Sequence, residues 1–238
     1  MSSTTPRPIA LILGSGPNIG TSLLSTLTSH NYLIATASRS SSTSPSSTTL
    51  SLTADFSNPT SIPPLFTAVK EKYGRAPSVV IYNAAALTPP PVDGNVLSVD
   101  GEAFGKDLNV NTVSAYVAGM EAVKAWDSEA EGTGEGEEKT FIYTGNALNQ
   151  NVMPVPAFLT LGVGKSASAY WVGLADQVYR GQGYRFFYAD QRQEDGAPMG
   201  TAVDGPAHAE FYAKLARREA GEVPWLATFV KGKGYVEF

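Results

Sequence analysis

Short apolar runs of strand length alternate along the chain with stretches of helical periodicity. The runs predict strands at 9–13, 32–37, 50–53, 79–82, 141–144, 185–189 and 226–230. The periodic stretches predict helices at 19–29, 62–73, 105–126, 157–179 and 206–218. Several strand runs are apolar throughout rather than at every second residue, which indicates strands buried on both faces of a parallel sheet.

Strands that alternate with helices are typical of repeated βαβ units. The sequence therefore predicts an α/β fold, a three-layer doubly wound Rossmann-type parallel sheet of about seven strands. The 238 residues suit one such domain, and no linker separates two cores, so we predict a single domain over 1–238. Two segments are predicted to be loops: the acidic, glycine-containing stretch 127–139, flexible and exposed, and the segment 190–205, where a substrate would be contacted.

Composition and charge exclude several classes of function. Residues 127–139 carry six acidic side chains and one lysine, which equals the net charge of −5 of the whole chain. The remainder is therefore close to neutral and offers no basic face for a nucleic acid. With no cysteine and two histidines, a thiolate or histidine-rich metal site is not expected. No apolar run is long enough to span a membrane, so we expect a cytoplasmic protein with no membrane partner.

A glycine-rich turn joins the first predicted strand to the first predicted helix. Its residues include Gly14, Ser15, Gly16, Asn18, Ile19 and Gly20. Glycines let the backbone approach a diphosphate closely, and the helix N-terminus adds free N–H groups and a favourable dipole. The position of the turn in the first βα unit predicts a dinucleotide site.

From residue 9 to about 189 the chain resembles the short-chain dehydrogenase/reductase family. The family's Gly-x-x-x-Gly-x-Gly pattern is matched by Gly14 and Gly20, with Asn18 at the middle glycine. Asparagine is the non-glycine residue that best tolerates positive φ, the conformation expected there. The resemblance implies that further cofactor contacts are made by Asp55, Phe56, Asn83, Ala84 and Ala85. Asp55 alternatively caps the segment that starts at Ser57.

Ser38 and Arg39 follow the second predicted strand, where an acidic residue would bind the ribose hydroxyls of NAD. No carboxylate stands near them, and a guanidinium suits a 2′-phosphate. We therefore favour NADP(H) over NAD(H) as the cofactor.

The family's catalytic Tyr-x-x-x-Lys pair is incomplete. Lys165 matches the lysine, which in the family holds the nicotinamide ribose, but Leu161 stands where the tyrosine is usual. No tyrosine in the chain is followed four residues later by lysine. The family's serine is replaced by Asn146 or Gly145. Its structural and catalytic asparagine is matched by Asn111, which alternatively bonds a neighbouring carbonyl.

Other side chains near the predicted strand ends are candidates for chemistry, but each has a plainer interpretation. Tyr82, Tyr143 and Tyr188 are expected to be wall or core aromatics more often than proton donors. Asp190 and Arg192 are expected in a solvated loop, and His208 on the surface of a helix.

These observations favour an atypical NADP(H)-dependent reductase that acts on a C=C bond, an imine or another small molecule not needing the tyrosine. Asn111, Asn146 and Lys165 are its expected catalytic residues. The alternatives are a catalytically inactive dinucleotide-binding sensor or scaffold, and a non-redox isomerase or cyclase. The resemblance also implies a homodimer or homotetramer joined through the two long helices around Asn111 and Lys165.

Overall fold

The computed structural model describes residues 6–40, 49–133 and 138–238, without the side chains of 131–133. Its sheet contains eight strands in the order β3-β2-β1-β4-β5-β6-β7-β8. They are β1 Ile9–Leu13, β2 Leu33–Ser38, β3 Thr49–Thr53, β4 Val79–Tyr82, β5 Lys139–Thr144, β6 Tyr184–Arg192, β7 Leu226–Val230 and β8 Gly234–Tyr235. The first seven pair in parallel, and the two-residue β8 pairs antiparallel with β7. The predicted doubly wound sheet is confirmed, with one short strand added.

Helices cover both faces of the sheet. They are α1 Ile19–Ser29, α2 Pro63–Tyr73, α3 Gly101–Leu108, α4 Ser114–Thr133, α5 Leu159–Tyr179 and α6 Gly205–Ala216. Side chains of α1 and α6 pack in one hydrophobic core, and those of α2, α4 and α5 pack in the other. Successive residues of β1 point into opposite cores, as Leu11 and Ile12 do, and both are fully buried. The uniformly apolar strand runs follow from this two-sided burial.

The helix predicted at 105–126 is longer and less regular than expected. It begins at Gly101, where the Asp100 carboxylate accepts the backbone N–H groups of Glu102 and Ala103. A π-helical turn, Asn109–Val113, then separates α3 from α4. Such turns are often found at functional sites, because the extra residue changes the direction of a side chain. Here the turn carries Asn111.

The prediction of a flexible acidic loop at 127–139 is wrong for most of that range. Residues up to Thr133 belong to α4, and Lys139 begins β5. The Lys139 ammonium is buried 3.0 Å from the Glu129 carboxylate, and Tyr184 donates a hydrogen bond to Asp127. These contacts hold the acidic end of α4 against the amino-terminal ends of β5 and β6. The rest of the predicted loop, 134–137, lies outside the described residues.

The loop predicted at 190–205 is shorter at both ends. Residues 190–192 continue β6, and Gly205 begins α6. Their backbone is held by parallel pairing, since Asp190, Gln191 and Arg192 are in register with Thr228, Phe229 and Val230 of β7. Because these three side chains are polar, the hydrophobic pattern did not predict that the strand continues through them.

Close packing of α5 on the π-helical turn depends on Gly164. A Cβ atom at 164 would lie 2.3 Å from the Cβ atom of Asn111. At Gly162, two residues earlier on the same helix, the nearest atom to an added Cβ is Leu148 Cβ at 3.9 Å. Only the first position therefore requires glycine.

We expect Gly164→Ala to lower the free energy of unfolding by about 1–3 kcal/mol, because the added methyl group forces α5 away from Asn111. Gly162→Ala is the matched control and is expected to be neutral or to gain up to about 1 kcal/mol from better helix propensity. Urea unfolding of both variants checks this. Equal effects of the two substitutions would contradict the close-packing interpretation.

Candidate active site

A long cleft lies at the carboxyl ends of the strands. β1 pairs with both β2 and β4, so the chain order reverses between β1 and β4, the position at which doubly wound sheets bind ligands. Two cavities of about 590 Å³ and 500 Å³ adjoin here. Both are lined by Gly16, Pro17, Asn83 and Ala85. The glycine-rich turn therefore separates the two halves of one extended cleft.

The glycine-rich turn is shaped for close approach of a ligand. Gly14 has a φ of +96°, and a Cβ atom there would lie 2.4 Å from the backbone nitrogen of Ala84. An added Cβ at Gly16 would meet no atom within 4 Å, so its backbone faces open space. α1 has no side-chain cap and no acidic residue in its first turn. Its first N–H groups and its dipole are thus suited to a diphosphate.

Asn18 has a different role from the one expected. Its φ is −93°, so the positive φ expected at this position is not present. Its side chain instead bridges to the segment before α6: Nδ2 donates to the Val203 carbonyl at 2.9 Å, and Oδ1 accepts the Gly205 N–H at 3.0 Å. Asn18 therefore ties the glycine-rich turn to the far wall of the smaller cavity, a contact between residues 185 or more positions apart.

The larger cavity is lined by the predicted adenosine-side residues. They include Ser38, Arg39, Asp55 and Phe56. The Asp55 carboxylate accepts the Ser57 backbone N–H at 2.9 Å and the Ser57 hydroxyl at 2.7 Å, and these bonds lower the pKa of Asp55. Asp55 thus closes the local turn, as the alternative interpretation expected, and also lines the cavity. Arg39 is exposed at its rim.

Asn111 is fully buried, and both the oxygen and the nitrogen of its side-chain amide form hydrogen bonds with the backbone of Ala86. Nδ2 donates to the Ala86 carbonyl at 2.8 Å, and Oδ1 accepts the Ala86 N–H at 2.9 Å. The bond therefore reaches the segment after β4 instead of a neighbouring carbonyl of its own helix. Asn111 fixes the turn that contains Asn83 and Ala85, which line both cavities, and Ala84, which lines the larger one.

Lys165 lies at the inner wall of the smaller cavity. Its ammonium donates to the Thr144 carbonyl at 2.6 Å and lies 4.5 Å from the centre of the Tyr143 ring. Burial lowers the pKa of Lys165 to about 7, although the Asp190 carboxylate opposes this shift. Leu161 lines the same cavity one helical turn earlier. The lysine and the residue at the tyrosine position therefore share one wall, as their spacing predicts.

Tyr188 determines which residue fits at the position of the family's serine. A Cβ atom at Gly145 would lie 2.1 Å from the Tyr188 ring, so only glycine fits there. Tyr188 donates to the Asn146 carbonyl at 2.9 Å and its oxygen accepts the Asn146 N–H at 3.1 Å. Of the two candidate residues, Asn146 is the one whose side chain faces the cavity, with Oδ1 accepting the Leu148 N–H at 3.1 Å.

The three strand-end tyrosines are core aromatics, as expected. Tyr143 lies between Tyr82 and Tyr188 in a stack with ring centres 5.9 and 5.5 Å apart. Tyr82 donates to the Val110 carbonyl and Tyr143 to the Asn111 carbonyl, each at 2.6 Å. Burial raises the pKa of all three phenols. None of these hydroxyl groups is available to a ligand without breaking a backbone hydrogen bond.

Asp190 and Arg192 are not solvated, which corrects the sequence-based expectation. Both are buried, and Arg192 Nε lies 2.5 Å from the Asp190 carboxylate. Burial raises the pKa of Asp190 to about 6, although Arg192 opposes this shift. The pair ends β6 beside Lys165, and Asp190 lines the smaller cavity. A charged pair at consecutive same-side positions of a strand, i and i+2, was the signal that could have revealed it.

His208 is also buried, so the predicted surface position is wrong. Its Nδ1 lies 2.8 Å from the Asp204 carbonyl, and its ring meets those of Tyr212 and Phe229 edge-on. Burial lowers the pKa of His208, which favours the neutral imidazole. The residue lines the smaller cavity. Alanines on either side of it in α6 gave no sign of which helix face is buried.

The described ranges contain no helix long and apolar enough to cross a membrane. They also contain no group of three or more histidine, aspartate or glutamate side chains arranged to hold a metal ion.

Comparison with known proteins found one curated relative. The chain is 39% identical over 241 residues to the short chain dehydrogenase/reductase dmxR12 of Cryptosporiopsis sp. (strain 8999), covering 97% of this chain and 95% of that protein. No protein-family model matches.

Solved structures share the fold at low identity. A 3-ketoacyl-(acyl-carrier-protein) reductase from Brucella melitensis complexed with NADH aligns with a TM-score of 0.79 at 16% identity, covering 95% of this chain and 98% of that one. A short-chain dehydrogenase/reductase from Serratia marcescens aligns with a TM-score of 0.75 at 18% identity, covering 94% and 96%. An oxidoreductase of this family from Brucella ovis, with a partially ordered NAD, gives 0.73 at 15%, covering 94% and 99%.

The buried Asp190–Arg192 pair yields a prediction about stability. Arg192→Met leaves a buried carboxylate without its partner, and we expect a loss of about 3–5 kcal/mol in the free energy of unfolding at pH 8. The loss is smaller at pH 5, below the Asp190 pKa of about 6, because the protonated carboxyl carries no charge.

Urea unfolding at the two pH values measures this difference. The double variant Asp190→Leu, Arg192→Met is the control, since removal of both charges recovers most of the stability. The same loss for Arg192→Met at both pH values would show that lost packing, and not the unpaired carboxylate, is responsible.

Proposed function

The chain belongs to the short-chain dehydrogenase/reductase family, and we propose that it is an atypical NADP(H)-dependent reductase of a C=C bond, an imine or a similar electrophile. One observation carries the proposal. The cleft combines an uncapped helix N-terminus at its centre with a buried lysine at one end, while Leu161 lines the wall where the family has its tyrosine. The cofactor half of the family's site is present, and its carbonyl-reducing half is altered.

The residues present fit a dinucleotide. The first turn of α1 and Gly14, Gly16 and Gly20 would hold the diphosphate. Asp55 and Phe56 would lie beside the adenine, the backbone of 83–85 would follow the ribose and nicotinamide, and Lys165 would bind the nicotinamide ribose. A reduced nicotinamide, when bound, supplies a hydride to an electrophilic carbon. The structures from Brucella contain NADH and NAD, which supports a dinucleotide in this cleft.

The proposed substrate class follows from the side chains around Lys165. Asn146 offers an amide to hold a substrate oxygen, and Asn111 keeps the 83–86 segment in place. Because the three strand-end tyrosines are bonded to backbone carbonyls, none of their phenols is placed for protonating a ketone oxygen. A conjugated C=C bond or an imine depends less on such a phenol. Apolar residues of the same cavity, Met153, Phe158 and Leu161, favour an apolar substrate.

Arg39 supports the choice of NADP(H). It is exposed at the rim of the larger cavity, next to Ser38 and Ser40, at the carboxyl end of β2. A guanidinium there can make charge-assisted hydrogen bonds with a 2′-phosphate, whereas binding of NAD usually depends on a carboxylate at this place.

The first test is titration of the purified protein with NADPH and NADH, followed by nucleotide fluorescence. We expect Arg39→Ala to raise the Kd for NADPH about tenfold or more and to leave the Kd for NADH unchanged, because only NADPH carries the 2′-phosphate. Lys214→Ala, which removes an exposed cation of α6, is the matched control and should change neither.

NADPH oxidation is then followed with a panel of enones, enoyl thioesters and imines. Turnover of one class supports the proposal. Absence of dinucleotide binding would refute it, and tight binding without turnover of any panel member would favour a non-catalytic sensor.

We also propose that the chain associates with a second copy through the α4–α5 face. Tyr116 and Met120 of α4 and Leu174 and Val178 of α5 are exposed beside a shallow apolar cavity of about 650 Å³. Adjoining exposed apolar side chains of this kind mark interaction surfaces. A twofold axis on this face would pack the two helices against their copies, which is the association that the family resemblance implies.

Leu174→Arg is expected to shift the protein to monomers, since it places a charge in the centre of that face. Leu97→Arg, at a residue that is 82% exposed and lies outside the face, should leave association unchanged. Sedimentation velocity over a range of protein concentrations measures both. A wild-type protein that stays monomeric at every concentration would contradict the proposal.

A further inference from the structure

Few side chains of the smaller cavity are able to hand a proton to a bound molecule. Leu161 has no acidic proton, and the phenols of Tyr82, Tyr143 and Tyr188 donate to backbone carbonyls. The titratable residues that line the cavity are Lys165, Asp190 and His208. Asp190 is engaged with Arg192, and the Nδ1 of His208 lies against the Asp204 carbonyl, with burial favouring its neutral form. Lys165 is the remaining candidate.

The ammonium of Lys165 has hydrogen atoms to spare. One N–H donates to the Thr144 carbonyl at 2.6 Å, and the charge lies over the Tyr143 ring at 4.5 Å. Both partners belong to β5, and Thr144 lines the cavity beside Lys165. The group carries three hydrogens, and the described residues provide no other acceptor for it. A substrate atom in the cavity can therefore accept a hydrogen bond from Lys165.

The charges around Lys165 do not hold it permanently protonated. The titratable groups around it are Tyr143 of β5, whose ring lies 4.5 Å from the ammonium, and Asp190 of β6 and His208 of α6, which line the same cavity. Among them Asp190 alone carries an opposite charge; it favours the ammonium of Lys165 but is itself paired with Arg192. Tyr212 donates to the Thr144 hydroxyl. Burial without a dedicated counterion lowers the pKa of Lys165 to about 7, so the ammonium and the amine both exist near neutrality.

We propose that Lys165 is the proton donor of this site, in place of the tyrosine that Leu161 replaces. The inference rests on the proposed reductase function, which names NAD(P)H as the reductant. As the substrate carbon gains the electron pair and hydrogen of the reductant, one Nζ–H bond of Lys165 breaks. Its proton goes to the imine nitrogen, or to the oxygen of the enone as the enol forms. Lys165 is left as a neutral amine, which burial favours, and regains a proton from water.

The protonation of Lys165 is measured first, by ¹³C NMR of protein labelled at the lysine Cε. The resonance that is missing from Lys165→Met identifies the residue. We expect it to titrate near neutral pH, below the ordinary lysine range. A Lys165 that titrates in the ordinary range would overturn the inference, whatever the activity.

Turnover of 2-cyclohexenone and 2-methyl-1-pyrroline with NADPH is measured next. The wild-type kcat is expected to fall as pH rises through the Lys165 titration, because the acid form is consumed. Lys165→Arg keeps the positive charge but does not release its proton, and we expect its kcat to fall about 100-fold or more while NADPH still binds. In Lys165→Ala, added methylammonium should restore part of the rate, which a purely structural lysine would not allow.

The two proposals fail in different ways. A wild-type protein that binds no dinucleotide, or that reduces neither probe, removes the reductase function and the proton donor with it. An active wild type whose Lys165→Arg variant keeps its kcat overturns the proton donor alone.

Discussion

A sheet of seven parallel strands cannot be joined by tight turns, and each strand must be followed by a segment that returns across one face of the sheet. In this chain that constraint places α1 and α6 on one face and α2, α4 and α5 on the other. It also brings every strand's carboxyl end to one edge. Because the order reverses between β1 and β4, helices from opposite faces leave a gap there, and the candidate active site occupies it.

The walls of that gap are made rigid by buried polar groups that are paired with the backbone. The amide of Asn111 holds the segment after β4, and Tyr82, Tyr143 and Tyr188 each donate to a carbonyl. Unpaired polar groups at this depth would be costly, so the network has essentially one arrangement. Lys165 lies beside this network and is held by a carbonyl and a ring face without a carboxylate in direct contact.

Departures from the family pattern are connected through packing. Tyr188 fills the space that a side chain at Gly145 would need, so the loss of the serine and the presence of this tyrosine go together. Asn18 replaces a glycine and bonds to Val203 and Gly205, which joins the cofactor half of the cleft to its substrate half. Each of these side chains has hydrogen-bond partners in the structure.

The sequence by itself determined the fold class, the order of the elements and the position of the glycine-rich turn, because uniformly apolar runs and helical periodicity are local properties. It also identified the lysine and the unusual residue four positions before it. Only the tertiary structure decided what the polar side chains do. Asp190, Arg192 and His208 are buried because β6 continues beside β7 and α6 packs against the sheet. The acidic stretch is helical up to Thr133, where Lys139 and Tyr184 contact Glu129 and Asp127. The π-helical turn at Asn111 and the bridge from Asn18 join residues far apart in the chain. From sequence alone a polar residue is predicted to be exposed. The hydrogen-bond or charge partner that allows its burial is evident only when the strands and helices are assembled.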